Sequence, residues 1–146
     1  MAIEHVGSAA PTGRRLRVLV VDANPDAREQ LQVALGDDCT LQFATGVGEA
    51  LEAIVADAPD LLVSEVNLLD GNGFRLCEQI RTLPDAEQLP IMLVTERASI
   101  HDKVAGFQAG ADDYVVKPVD ARLFHARIRL LFRIKGLHRA RRDMSA

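Results

Sequence analysis

An apolar stretch near the middle of the chain, residues 59–67 with the sequence PDLLVSEVN, decides the fold. It predicts a turn, a buried strand and a polar loop, because Pro and Asp precede a continuous Leu-Leu-Val run that ends at Ser64 and Glu65. Continuous apolar strands are typical of parallel sheets whose two faces are both covered. The stretch therefore predicts an α/β fold with Glu65 at the carboxyl end of a central strand.

The rest of the chain alternates short apolar runs with helical patterns. Strands are predicted at 16–21, 40–44, 60–64, 90–94 and 113–116, and helices near 25–36, 46–57, 73–83, 98–109 and 119–140. Asn24 and Asn72 have the features of helix N-caps. This order predicts one doubly wound (βα)5 domain with a parallel five-stranded sheet at 16–135. A disordered leader is expected at 1–15 and a basic helical extension or linker at 136–146.

Length and composition restrict the class of protein. A chain of 146 residues is long enough to bury the core of one domain. Cys39 and Cys77 are far apart and have no metal-ligand spacing, which favours a reduced, cytoplasmic context. No apolar run approaches the about 20 residues of a membrane span, and no signal-peptide pattern opens the chain. A soluble protein without membrane contact is therefore expected.

The charge of the chain is unevenly distributed. The formal net charge is −4, but residues 131–146 contain five basic residues and one acidic residue, which leaves −8 for the rest. A basic tail can bind an anionic partner, although such a run is more often a solvated face. Nucleic-acid binding is disfavoured because this tail has neither a recognition helix nor interleaved aromatic residues. Its basic residues are Arg133, Lys135, Arg139, Arg141 and Arg142.

The sequence lacks the patterns of common catalytic sites. No GxGxxG, P-loop or GxSxG motif occurs, and the Gly-Asn-Gly run at 71–73 alone predicts a turn. The histidines are not clustered at metal-ligand spacing; they are His5, His101, His125 and His138. The chain is therefore not expected to be an enzyme.

Polar residues follow four of the predicted strands, namely Asp22, Glu65, Thr95 and Lys117. The carboxyl ends of parallel strands meet at one edge of a doubly wound sheet, and ligands bind there. Each residue taken singly has an ordinary explanation, such as helix capping or solvation. Together the four residues predict one polar pocket.

The chain from about residue 16 to residue 134 resembles the receiver domain of two-component response regulators. The resemblance is carried by residues 102–118, with the sequence DKVAGFQAGADDYVVKP, and by residues 18–28 around the first strand. It implies a flavodoxin-like sheet with strand order 2-1-3-4-5. In this family an aspartate after the third strand accepts a phosphoryl group from a histidine kinase with Mg²⁺ bound.

The resemblance also assigns roles to the other strand ends. Thr95 and Lys117 match family residues that contact the phosphoryl oxygens. Tyr114 matches an aromatic residue that reports the switch to the surface formed by the fourth helix, the fifth strand and the fifth helix. The bond between Lys117 and Pro118 matches one that is typically cis.

Several positions depart from the receiver pattern. Glu65 stands at the phospho-acceptor position, and Ala23 replaces an acid that would ligate Mg²⁺. The remaining oxygens, from Asp22, Glu65 and Asn67, would give at most a weak Mg²⁺ site. Without the metal the carboxylates repel an incoming phosphoryl group, and Glu96 adds repulsion at the entrance. We therefore expect no required cofactor and no cycle of phosphorylation.

Two interpretations of Glu65 stay open at this point. Its longer side chain can place a carboxylate where phosphoryl oxygens lie in an activated receiver, although with less charge than a phosphorylated side chain. Alternatively the site has decayed, and Glu65 only pairs with Lys117. Both predict a signalling module that acts by contact with a histidine kinase or an output domain. The competing hypothesis is a receiver that still accepts a phosphoryl group.

The last predicted helix carries two apolar stripes. We expect the first stripe to face the core; it comprises Leu123, Leu130, Ile134 and Leu137. The second stripe, Phe124, Ile128 and Phe132, is expected to be exposed beside the fourth helix and the fifth strand, where it would hold a homodimer together. The alternatives are a helical linker that precedes an output domain and, for residues 137–146, a frayed basic tail.

Overall fold

The computed structural model describes residues 15–145, with side chains described as far as residue 135. Its strands are β1 (Leu16–Val21), β2 (Cys39–Ala44), β3 (Leu61–Ser64), β4 (Ile91–Thr95) and β5 (Asp113–Val116). Its helices are α1 (Pro25–Leu35), α2 (Val47–Ala56), α3 (Gly73–Ile80), α4 (Ile100–Ala109) and α5 (Ala121–Ser145). A two-residue antiparallel ladder pairs Asn67–Leu68 with Gly71–Asn72 in the loop after β3. The predicted (βα)5 order is confirmed, with small shifts at the ends of elements.

The five strands form one parallel sheet in the order β2-β1-β3-β4-β5. This is the flavodoxin-like order 2-1-3-4-5 that the resemblance implies. The direction of the strand order reverses at β1, so the loops after β1 and β3 lie at the switch point where ligands bind in such sheets. The central strands β1, β3 and β4 are buried on both faces apart from Arg17, which explains their continuous apolar sequences.

The helices cover both faces of the sheet and enclose two apolar cores. One core, against α1 and α5, includes Val18, Leu31, Phe124 and Ile128. The other core, against α2, α3 and α4, includes Leu19, Ile54, Leu76 and Leu93. Because successive strand side chains point to opposite faces, neighbouring residues of β1 contribute to different cores.

The two predicted N-caps are confirmed. Asn24 Oδ1 accepts hydrogen bonds from the backbone N–H groups of Asp26 (2.8 Å) and Ala27 (3.3 Å). Asn72 Oδ1 accepts one from the N–H of Arg75 at 2.9 Å. These caps fix the starts of α1 and α3, which follow the loops after β1 and β3 at the edge of the predicted pocket.

The prediction for the apolar stripes of the last helix is wrong. Phe124, Ile128 and Phe132 are at most 5 % exposed and pack in the core. Conversely, the stripe Leu123, Leu130 and Ile134 is 50–66 % exposed, and Leu137 lies outside the residues whose side chains are described. The physical reason is that Leu131 joins the buried stripe, giving the spacing i, i+4, i+7, i+8 of a broad face that can cover a sheet.

Helix α5 continues past Gly136 without a break. It has 25 residues, which corresponds to roughly 37 Å at 1.5 Å per residue. Residues 1–14 of the expected leader lie outside the described residues, as do the side chains of the basic tail beyond residue 135. Within residues 15–145, no helix combines the length and apolar character that crossing a membrane would require.

Candidate functional site

The four residues predicted at the strand ends converge in one pocket. Asp22 follows β1, Glu65 follows β3, Thr95 ends β4 and Lys117 follows β5. Lys117 Nζ lies 3.1 Å from Asp22 Oδ2 and 3.0 Å from Glu65 Oε1. Thr95, at the end of the neighbouring strand β4, is fully buried. One ammonium therefore meets two carboxylates at this edge of the sheet.

The Glu65 carboxylate is hydrogen-bonded through both of its oxygens. Oε1 accepts from Lys117 Nζ, while Oε2 accepts from the backbone N–H groups of Val66 and of Asn67, the latter at 3.1 Å. The glutamate side chain is long enough to fold back over the loop that follows it. A single carboxylate thus accepts hydrogen bonds from a lysine and two backbone amides.

Asp22 occupies the opposite side of Lys117 and is also fully engaged. It is 3 % exposed, and its Oδ1 accepts from the N–H of Asn24 at 2.9 Å while Oδ2 accepts from Lys117. Ala23, next in the chain, has no side-chain oxygen. The acidic loop after β1 therefore presents one carboxylate to the pocket.

The hydrogen bonds keep Glu65 and Lys117 charged despite their burial. Burial is the largest influence on the pKa of Glu65 and raises it, but hydrogen bonds from Thr95, Lys117 and the Asn67 backbone together hold the pKa below its ordinary value. For Lys117, burial most strongly lowers the pKa, but hydrogen bonds to Glu65 and Asp22 outweigh it, so the pKa is raised. Both shifts favour the ionised pair at neutral pH.

The donor set of the pocket does not fit the Mg²⁺ ion that the resemblance implies. Mg²⁺ requires oxygen ligands in near-octahedral geometry. Here Lys117 lies between the two carboxylates, whose oxygens already accept hydrogen bonds, and Ala23 offers no ligand. Among the described residues, no group of three or more His, Cys, Asp or Glu could hold a metal ion. Lys117 offsets one of the two negative charges of this pocket.

A chain of contacts leads from Glu65 to β5. Thr95 Oγ1 accepts from the N–H of Arg97 at 3.3 Å, and the Arg97 carbonyl accepts from the Tyr114 hydroxyl at 2.7 Å. Tyr114 is 6 % exposed, and burial is the main cause that raises its pKa. The aromatic residue of β5 is therefore directed inward and connected through one loop to the pocket.

Gly106 in α4 makes room for this tyrosine. A Cβ atom at Gly106 would lie 2.9 Å from Tyr114 Cδ2 and 3.0 Å from Leu93 Cδ1, closer than side chains normally pack. Glycine inside a helix destabilises it by about 1 kcal/mol relative to alanine. That cost is offset here by the close approach of α4 to the buried ring.

The loop after β3 is anchored at its tip. Asp70 accepts hydrogen bonds from the N–H groups of Val47 (2.7 Å) and Gly48 (3.0 Å), so it caps α2 from a distant part of the chain. The backbone N–H groups that hold Glu65 belong to the same loop. Asp70 therefore helps to fix the loop that surrounds the glutamate.

The remaining predicted positions lie around the pocket. Glu96 is exposed beside Thr95, and the bond between Lys117 and Pro118 is cis, as expected. Sequence reasoning missed the contacts of Arg97, Asp70 and the role of Gly106. Only Gly106 gave a signal, since a glycine in the middle of a helical pattern often marks a close contact.

Comparison with known proteins identifies the family. The family model described as "Response regulator receiver domain" matches residues 18–129. The chain belongs to the response regulator receiver family. This receiver is 41 % identical over 119 residues to the response regulator MprA of Mycobacterium ulcerans (strain Agy99), which covers 81 % of this chain and 50 % of that protein. It thus spans about half the length of this relative.

Solved structures agree with the fold of this receiver. A crystal structure from Chloroflexus aurantiacus J-10-fl, assigned as a response regulator, has a TM-score of 0.78 and 32 % identity and covers 82 % of this chain and 98 % of that one. A two-component response regulator from Clostridium difficile has a TM-score of 0.74 and 26 % identity, with coverage of 81 % and 96 %. The chain is therefore a response regulator receiver domain of two-component signalling.

Proposed function

We propose that this receiver signals by protein–protein contact without a cycle of phosphorylation. We propose further that the Glu65 carboxylate takes the place that phosphoryl oxygens take in an activated receiver. The observation that supports this proposal is the set of groups around the Glu65 carboxylate. Lys117, which matches a family residue that contacts phosphoryl oxygens, donates to Glu65 Oε1 at 3.0 Å. Burial raises the pKa of the carboxylate, and Thr95, which matches another such residue, is among the groups that outweigh this effect and lower it. The proposed partners are a histidine kinase or an output domain.

The other contacts of Glu65 favour mimicry over a decayed site. A decayed site needs only the ion pair between Glu65 and Lys117 to satisfy a partly buried charge. Here the carboxylate also accepts from the backbone N–H groups of Val66 and Asn67, and the side chain of Asn67 accepts from Arg97, whose carbonyl accepts from Tyr114. The competing hypothesis of a phospho-accepting receiver would require a metal site that the donor set does not fit.

Glu65→Gln is expected to loosen the packing of the Tyr114 side chain, because the substitution removes the charge that attracts Lys117. Holding a conformation at 99:1 against 1:99 requires about 5.5 kcal/mol, more than one partly exposed ion pair supplies, so a partial shift is expected. Tyr114 is the only tyrosine in a chain without tryptophan, so its fluorescence and its quenching by acrylamide report this site alone. Backbone NMR shifts of Thr95 and its neighbours give a second measurement.

The matched control is Glu52→Gln, which removes an exposed carboxylate from α2. It should leave the Tyr114 signal as in the wild type. If Glu65→Gln behaves like this control in both measurements, mimicry is wrong and Glu65 is a remnant of a decayed site.

The surface of α4, β5 and α5 is the proposed binding face. Its exposed apolar side chains, with 45–79 % exposure, are Ile100, Val104 and Phe107 of α4 and Leu123, Leu130 and Ile134 of α5. Arg127 Nη1 lies 2.8 Å from Asp113 Oδ1 of β5. Since Arg127 is four residues after Leu123 and three before Leu130, this side of α5 borders the edge strand.

We propose that a homodimer forms on this face and that Leu130 and Phe107, rather than the buried stripe, stabilise it. Replacing both residues with Asp is expected to give a folded monomer, because the charges would oppose burial of the patch in an interface. Sedimentation velocity at high micromolar concentration measures the change. The control is Val33→Asp on α1, where the side chain is 77 % exposed. A monomeric wild type would contradict the proposal.

A further inference from the structure

Arg97, in the loop between β4 and α4, contacts five parts of the structure around the pocket. These parts are Thr95, the loop after β3, the first turn of α4, β5 and the first turn of α3. We propose that Arg97 is the positioning residue that couples the state of Glu65 to the surface of α4, β5 and α5. This inference rests on the proposed function, because it concerns how the pocket acts on that surface.

The backbone of Arg97 connects Thr95, which ends β4, with the buried Tyr114 of β5. Its N–H donates to Thr95 Oγ1 at 3.3 Å, and its carbonyl accepts from the Tyr114 hydroxyl at 2.7 Å. A movement of Thr95 therefore displaces the acceptor of Tyr114. These contacts depend on the position of the loop between β4 and α4. The side chain of Arg97 fixes the position of this loop.

The guanidinium group joins the pocket loop to helix α4. Nη1 donates to Asn67 Oδ1 at 3.1 Å, and Nη2 donates to Asp102 Oδ1 at 2.8 Å. The N–H of Asn67 donates to the Glu65 carboxylate, whereas Asp102 lies in the first turn of α4 and accepts from the Ser99 hydroxyl at 2.9 Å. One side chain therefore connects the residue beside Glu65 with the start of α4.

The guanidinium group also lies near an aromatic ring. Its central carbon lies 5.8 Å from the centre of the Phe74 ring in the first turn of α3. Arginine suits this position because its rigid, planar set of N–H donors can stack on a ring and reach two acceptors at once. A lysine ammonium is a single point charge without this fixed geometry.

Because Arg97 is partly exposed, its positioning role can be tested without a large change in the stability of the domain. The side chain is 42 % exposed, and ion pairs at such sites contribute little to the free energy of unfolding. Removing the side chain is therefore expected to leave the unfolding midpoint close to that of the wild type. Removing the side chain should instead change how strongly the quenching of Tyr114 fluorescence responds to Glu65→Gln.

The test is a double-mutant cycle between Glu65→Gln and Arg97→Ala, read from acrylamide quenching of the single tyrosine and from amide shifts in the first turn of α4. If Arg97 couples the sites, the quenching change caused by Glu65→Gln in the wild type is expected to fall at least about twofold in the Arg97→Ala background. Arg97→Lys is expected to behave like Arg97→Ala. Arg75→Ala, an exposed arginine of α3, is the matched control and should preserve the full effect.

The outcomes distinguish the two proposals. If Glu65→Gln has the same effect in the wild-type and Arg97→Ala backgrounds, the role of Arg97 is overturned while the proposed function stands. If Glu65→Gln has no effect in the wild type, the proposed function fails and the coupling through Arg97 fails with it. If Arg97→Lys preserves the coupling, charge alone is sufficient and the bridging geometry is not the cause.

Discussion

Ile128→Asp is expected to unfold the domain. Ile128 has no exposed surface and packs with Phe124 and Leu131 in the core between α5 and the sheet. An unpaired carboxylate in such a core costs several kcal/mol, which is comparable with the 5–15 kcal/mol total stability of a typical domain. Even Ile128→Ala should lower the free energy of unfolding by about 2–5 kcal/mol. Urea denaturation followed by far-UV circular dichroism measures both changes.

Leu130→Asp, two residues further along the same helix, is the matched control. Leu130 is 50 % exposed, so the substituted carboxylate would stay in water and the fold should persist. The contrast between the two variants tests the rotation of α5 about its axis. A stable Ile128→Asp variant together with an unfolded Leu130→Asp variant would mean that the helix presents its other stripe to the sheet.

The two stripes show what the sequence can and cannot predict about this helix. Both stripes satisfy a helical period, so periodicity alone does not decide which one faces the core. The buried stripe is wider, since Leu131 extends it, and its two phenylalanines fill more volume than the leucines of the exposed stripe. The existence of α5 was predictable from periodicity, whereas its rotation depended on packing volume.

The pocket was more predictable than the contacts around it. Asp22, Glu65 and Lys117 each follow a strand directly and Thr95 ends one, and the topology of a parallel sheet brings such positions together. Arg97 and Asp70 belong to loops, and their partners are distant in the chain; Arg97 reaches Asn67, and Asp70 reaches Val47. The path of a loop is set by many small contacts, so sequence spacing does not reveal which residues it brings together.

The double substitution Ala23→Asp with Glu65→Asp is expected to produce a receiver that accepts a phosphoryl group in the presence of Mg²⁺. The first change supplies the missing oxygen ligand after β1. The second shortens the carboxylate, so that it no longer reaches the groups that would hold the phosphoryl oxygens. The shortened carboxylate would then attack phosphorus with acetate as the leaving group when acetyl phosphate is the donor, and a Mg²⁺ ion held by the two acids would supply charge stabilisation.

Intact-mass analysis after incubation with acetyl phosphate measures this gain. The wild type should show no added mass with or without Mg²⁺, while the double variant should gain one phosphoryl group only with Mg²⁺. Each single variant should react far less, because Ala23→Asp leaves the long glutamate in place and Glu65→Asp leaves the metal site one ligand short. Stoichiometric phosphorylation of the wild type would contradict the proposed function directly.

The same experiment can test whether the exposed carboxylate of Glu96 repels the phosphoryl donor. It stands beside Thr95 at the entrance and should repel a negatively charged donor, so the double variant is expected to react slowly. Adding Glu96→Ala should raise the rate, and the gain should shrink at high ionic strength because screening weakens repulsion between exposed charges. A double variant that binds Mg²⁺ and yet stays unmodified after removal of Glu96 would show that the scaffold around Lys117, rather than its two substituted acids, prevents phosphoryl transfer.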